Sequence, residues 1–342
     1  MALTPEILHR LPKTDLHCHL DGSLRIPTIL DLAARQNVEL PSTDPEVLKR
    51  AVTVNAGPQS LGDYIKKFDI TLSVLQTPEA LERTAYELAE DAIGENVRYL
   101  EVRYSPILHT QRGMREIETI DAVLRGLRRA EHDFAIRTGV IICGIRSISP
   151  DISLQLAELA VAYKGKGVLG FDLAGAEENY PAKDHREAFY LILDNNINTT
   201  LHAGEAYGPE SIHQALHYCN AHRIGHGTRL KEDGDLLNYV TDHRIPLEIC
   251  LSSNVHTGSV PGLARHPLRF YYDYHVRVTL NTDNRLISDT TLTREYALAQ
   301  EYYGLELNDF KEIILNGFKS AFLPYRERLV MIEEVLEELE EF

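Results

Sequence analysis

Short runs rich in Val, Ile, Leu and Tyr recur along the chain, each bounded by Gly, Pro, Asn or Asp. They read "TDLHCHL" at 14–20, "VRYLEVRYS" at 97–105, "VIICGIRSI" at 140–148 and "VLGFDLAG" at 168–175. Further on come "NTTLHAGE" at 198–205, "RIGHG" at 223–227, "IPLEICLSS" at 245–253 and "VRVTLNTD" at 276–283. Length and punctuation predict a strand for each of the eight. Between most of them the apolar positions switch to i, i+3, i+4 spacing, as at 79–97 and 120–139, which predicts helices. Strand alternating with helix eight times points to parallel strands joined by crossover helices, an α/β (β/α)8 TIM barrel. Several runs are near-continuously apolar, as expected of strands buried on both faces.

The connection from about 21 to 96 is far longer than the others and predicts extra helices after the first strand, beside or over the barrel mouth. A helical tail broken at Pro324 follows the last strand and ends in an acidic run that reads as a solvated face. No short repeat, low-complexity tract or linker interrupts the pattern, so residues 1–342 are read as one domain.

Composition narrows the classes. With 44% hydrophobic and 25% charged residues the chain is ordinary for a globular protein. A net charge of −16 repels polyanions, so a backbone grip on nucleic acid is not expected. No run approaches the roughly 18 apolar residues of a membrane span, and "MALTPEILHRLPK" has no signal-peptide core. Cys18, Cys143, Cys219 and Cys250 form no C-x-x-C pair, which argues against a disulfide framework or a cysteine zinc cage and favours the cytoplasm.

The candidate chemistry lies at the ends of the predicted strands. His17 and His19 close the first, two residues apart and therefore on one face, with Cys18 turned toward the helices. His202 ends the fifth with Glu205 just beyond, His226 ends the sixth, and Asp283 ends the eighth. In a barrel these ends surround one mouth. Three histidines and a carboxylate suit a single zinc ion with an open position, and the expected ligands are His17, His19, His202 and Asp283. A metal there lowers the pKa of a water molecule toward neutrality, leaving Glu205 and His226 as acid and base candidates. His213 and His217 also sit four apart but lack the H-E-x-x-H glutamate, and they are expected on the outer surface. Surface or structural roles are expected for His109, His132, His222, His243, His256, His266 and His275.

Together, "PKTDLHCHLDGSLR", "FDLAGAE", "LHAGE", "RIGHGTRL", "SSNVHTG" and "LNTDN" resemble the ordered motifs of the adenosine deaminases in the amidohydrolase superfamily, over about residues 12 to 325. The resemblance implies zinc-dependent hydrolysis of adenosine or 2′-deoxyadenosine to inosine or deoxyinosine and ammonia, within purine metabolism. It implies that Glu205 protonates purine N1 and that His226 positions and polarises the attacking water. It further implies that Gly175 offers its N–H to N3, that Asp21 binds the 5′-hydroxyl, and that His19 lies against the sugar. Where many relatives read T-D-D-P this chain reads "TDNRLIS", so Asn284 stands in place of the acid expected at purine N7. An amide N–H can still donate to that nitrogen.

Rival readings make distinct demands. A dinuclear hydrolase needs a lysine at the fourth strand's end, and "VLGFDLAGAE" has none. Deaminases of adenine or aminodeoxyfutalosine often carry E-G where this chain has Asp21-Gly22, and an N6-substituted purine is a further alternative substrate. The nucleic-acid deaminases need H-x-E with P-C-x-x-C, both absent. An inactive binding or signalling relative would have lost a ligand or the acid, and all are present.

Overall fold

The computed structural model describes residues 3–54 and 60–342. Eight strands run in chain order: β1 (Lys13–His19), β2 (Val97–Tyr104), β3 (Arg137–Ile145), β4 (Val168–Ala174), β5 (Asn198–Ala203), β6 (Arg223–His226), β7 (Leu247–Ile249) and β8 (Val278–Leu280). Each pairs in parallel with the next. The ring closes through residues just past β8: the His19 N–H donates to the Asp283 carbonyl, and the Asp283 N–H to the His17 carbonyl, both at 2.7 Å. The expected (β/α)8 barrel is therefore the fold.

Helices cover the outside because their apolar stripes repeat at the helical period. The helix Pro78–Ile93, capped by the Thr77 hydroxyl accepting from the Ala80 N–H, buries Ala80, Leu81, Thr84, Ala85, Leu88, Ala89 and Ala92. Its neighbour Glu116–Asp133 approaches so closely at Gly126 that a Cβ there would stand 2.2 Å from the Glu82 carbonyl oxygen. Extra helices fill the long first connection, among them Leu61–Ile65 and Phe68–Val74, and Leu307–Ser320 and Tyr325–Leu339 form the tail on either side of Pro324.

Three boundaries differ from the sequence expectation. β3 starts at Arg137, so the last residues of the predicted 120–139 helix are strand, and that helix ends at Asp133. β7 stops at Ile249, and Leu251–His256 is a helix instead of strand. A distant segment satisfies the start of that helix: the Ser252 N–H donates to the buried Glu295 carboxyl at 3.2 Å. β8 stops at Leu280, and Asp283 stands past it with a left-handed φ of 60°.

The barrel interior is also more polar than near-continuous apolar runs imply. Arg103 on β2 donates to Asp172 of β4 at 3.1 Å and to Glu248 of β7 at 2.9 Å. Arg223 on β6 donates to Glu248 at 2.5 Å and to Glu101 of β2. All five side chains are buried. Inward charges on alternate positions, each paired, replace the branched apolar layers usual in such barrels.

Candidate metal centre and active site

At the carboxyl ends of the strands four donor atoms meet. His17 and His19 both project inward from β1, while Cys18 points outward to within 3.7 Å of the Ser23 hydroxyl. The Nε2 atoms of His17 and His19 each lie 3.1 Å from Nε2 of His202. Oδ1 of Asp283 is 3.4 Å from His17 Nε2 and 3.3 Å from His19 Nε2. Ligand atoms around a tetrahedral zinc with bonds of about 2.0–2.1 Å stand roughly 3.3 Å apart, so the spacing fits that ion.

The protonation pattern points the same way. His17 Nδ1 donates to Glu248 at 2.9 Å, and His202 Nδ1 donates to Asp172 at 2.9 Å. A neutral ring whose Nδ1 carries the proton presents a lone pair from Nε2. With both Nδ1 atoms protonated, the two Nε2 atoms stand 3.1 Å apart and need a cation, a proton or a metal ion, between them. Burial, reinforced by neighbouring rings, holds His19 well below the ordinary imidazole range and His202 below it. His17 alone is pushed up: burial and Arg103 oppose its charge, but hydrogen bonds to Asp283 and Glu248 outweigh them. Asp283 lies well below the carboxylate range, because the imidazoles of His17 and His19 overcome the cost of its burial.

Glu248 and Asp172 thus connect the histidines to the arginines inside the barrel. Carboxylates behind metal-binding histidines fix ring orientation and raise ligand basicity. His226 stands close by: donor atoms of His17, His202, His226 and Asp283 all lie within 4.8 Å of one another. His19 lies outside that group, yet its Nε2 is 3.1 Å from His202 Nε2 and 3.3 Å from Asp283 Oδ1. His226, like Asp283, has a left-handed backbone, with φ 66°. Non-glycine residues are held there only where the surroundings over-determine them, and such strain collects at functional sites.

Above the cage opens a cavity of about 490 Å³ that reaches Asp21, Gly175, Glu205, His226 and Asn284. Its apolar wall comes from the first connection, with Leu61, Ile65, Phe68 and Leu72, and from Leu108 and Ile148. Among the described residues lining it there is no lysine or arginine. Four buried polar atoms of its lining residues lack a protein partner: Asp21 Oδ1, Ser105 Oγ, His226 Nε2 and Asn284 Oδ1. Unpaired buried polar atoms converging on one cavity are what a polar ligand satisfies. Burial pushes Asp21 up to about 7, with the charge of Asp283 adding to it. Glu205 is pushed up to about 8 by burial first, then by Asp283 and Glu177. Its Oε2 lies 3.6 Å from His226 Nε2. Gly175 follows β4 with φ 95°, a backbone that a side chain would strain. Asn284 rests on Gly22, where a Cβ would come within 1.8 Å of its Oδ1.

Glu177, the last residue of "FDLAGAE", belongs to this site although nothing in its sequence position signals a role. Its carboxylate accepts the N–H groups of Gly204, Glu205, Ala206 and Tyr207 at 2.6–3.0 Å. It therefore holds the turn that aims Glu205. Glu177→Ala is expected to destabilise the fold by about 2–3 kcal/mol through those orphaned donors. It should also lower kcat by more than it raises KM, which denaturant unfolding and steady-state kinetics would check. By contrast His213 and His217 lie exposed on the helix Pro209–His217, as expected. His109 and His222 are occupied by hydrogen bonds to the Leu75 carbonyl and the Thr199 N–H.

The family model described as "Adenosine deaminase" matches residues 12–338. The adenosine deaminase of Mycobacterium avium is 42% identical over 352 residues, covering 97% of this chain and 96% of that protein. The probable adenosine deaminase of Dictyostelium discoideum is 40% identical over 94% of this chain, which spans only 42% of that longer protein. Among solved structures, the adenine deaminase of Arthrobacter aurescens superposes with a TM-score of 0.90 at 26% identity, covering 96% of this chain and 99% of that one.

Proposed function

The chain belongs to the adenosine deaminase family, and on that premise we propose that it hydrolyses adenosine and 2′-deoxyadenosine to inosine and deoxyinosine, releasing ammonia. The observation that carries this reading is a three-histidine, one-carboxylate cage opening into the same cavity as a buried carboxyl that keeps its proton at neutral pH. We assign one zinc ion per subunit, held by His17, His19, His202 and Asp283. Such an ion supplies Lewis acidity that makes water nucleophilic at neutral pH.

The residues of the chain do the rest. Glu205 gives its proton to purine N1 and so drains electron density from C6, where the oxygen of water adds. Asp283 accepts the proton that water releases, and His226 donates a hydrogen bond to the attacking oxygen as it gains charge. The C6–N bond then breaks, the amine leaves as ammonia with the proton Asp283 held, and the C6 hydroxyl becomes a carbonyl as its proton restores the Glu205 acid. Gly175 offers its N–H to N3 and the Asn284 amide donates to N7. Asp21 holds the 5′-hydroxyl, with His19 against the sugar. Four free, buried cysteines suit a reducing cytoplasm.

The test is ammonia release from adenosine, 2′-deoxyadenosine, adenine and AMP, with zinc present and after chelation. Adenosine turnover that chelation abolishes is the expected result. With no lysine or arginine among the described residues lining the cavity to meet a 5′-phosphate, AMP should fall about a hundredfold or more below adenosine in kcat/KM. Turnover of adenine alone would keep the chemistry and remove the role of Asp21. No turnover of any of the four with metal bound would remove the deaminase reading.

A further inference from the structure

Behind His226 lies a line of hydrogen bonds whose polarity can be read from one end. The N–H of Leu268 donates to His266 Nδ1 at 3.0 Å. A backbone N–H can only donate, so His266 Nδ1 carries no proton. His266 is buried, and burial, with the Lys231 charge adding, pushes its proton affinity down to about 3. The ring is therefore neutral, and its single proton sits on Nε2. That nitrogen lies 3.1 Å from Asn254 Oδ1 and donates to it. With the oxygen so engaged, the Asn254 amide turns its NH2 toward His226 Nδ1, 2.9 Å away. The opposite amide orientation would set an N–H against the N–H of His266. All three side chains are buried, so water does not rearrange the line cheaply.

We propose that Asn254 and His266 are positioning residues that hold His226 with its proton on Nε2, so that the ring enters the reaction as a hydrogen-bond donor. This rests on the role given to His226 above and sharpens it. His226 Nε2 faces the cavity with no protein partner, its nearest acid being Glu205 Oε2 at 3.6 Å. The rings of His17 and His202 flank it at centroid distances of 4.7 and 5.3 Å. A proton on Nε2 excludes His226 as the water's base, since no lone pair faces the cavity. It also removes His226 from the metal donors, leaving His19 as the third imidazole although His226 stands nearly as close.

The experiment uses 15N-histidine-labelled protein, zinc-loaded and metal-free, in which long-range proton–nitrogen correlations assign the tautomer. The His226 signals are identified by their loss in His226→Gln. Wild type is expected to show Nε2 protonated and Nδ1 bare in both forms. Asn254→Asp replaces the donating amide with a carboxylate that accepts from both rings. It should move the His226 proton to Nδ1 and lower kcat about a hundredfold, with KM for adenosine within about threefold. His266→Phe frees the amide to turn and should lower kcat about tenfold with mixed tautomer signals. His266→Gln keeps a donor toward Asn254 and should stay within about threefold of wild type. A Nδ1 proton on His226 in wild type, or an Asn254→Asp protein with unchanged tautomer and kcat, would overturn the proposal. Equal losses in the Phe and Gln variants, explained by matching falls in Tm, would remove His266 from it. Were wild type inactive on every purine, the tautomer signals would still decide this question, separating it from the failure of the deaminase reading.

Discussion

Glu205→Gln is expected to lower kcat about a thousandfold while leaving KM for adenosine within a few-fold. The amide fills the same volume and can still hydrogen-bond purine N1, but it has no acidic proton to give. The effect falls on kcat because proton transfer matters in the transition state more than in the bound ground state. The pH dependence carries a sign that checks the assignment. Burial, with the charges of Asp283 and Glu177 adding, places the Glu205 carboxyl at about 8, above its ordinary 4.5. The proton is therefore present at pH 7 and lost above about 8, so kcat/KM should fall on the alkaline side. The residual activity of the Gln variant should lack that limb. A Gln variant within tenfold of wild type in kcat would remove Glu205 as the acid.

Asp283→Asn is expected to weaken zinc binding by about a hundredfold and to lower kcat by about a thousandfold even when zinc is saturating. Asparagine tolerates the left-handed backbone at φ 60°, so the variant separates chemistry from fold better than alanine does. Its amide is neutral and cannot accept the proton of the attacking water, which explains loss of rate with metal bound. Competition with a chromophoric chelator measures the affinity, and kinetics in excess zinc measures the rate. Unchanged zinc affinity would place the fourth ligand elsewhere, with His226 the nearest candidate.

How much of this was legible in the sequence depended on whether the cause was local. Strand order and the strand-end positions of His17, His19, His202 and His226 follow from apolar runs with turn residues at their ends. β7 and the helix at Leu251 do not, since an N–H in the first turn of that helix is satisfied by Glu295, more than forty residues later. The charged ladder of Glu101, Arg103, Asp172, Arg223 and Glu248 was hidden for the same reason. Each residue alone interrupts an apolar run, and only the closed barrel pairs them. Glu177 and Asn254 lay inside recognised motifs without a role, since what they do is accept or donate across the site. His266 looked like any buried histidine. The signal that sets it apart, an acceptor nitrogen on a backbone N–H two residues on, exists only in three dimensions.

The seam of the barrel has a consequence for how the protein is made. His17 and Asp283, two of the proposed zinc ligands, from the first strand and from just past the last, also share the backbone hydrogen bond that joins those ends. Half of the cage is thus assembled by the same event that completes the ring. During synthesis the early histidines emerge long before the carboxylate, so a nascent chain offers a metal only an incomplete site. Capture of the ion at full affinity is then a late step, and a bound metal certifies a finished barrel.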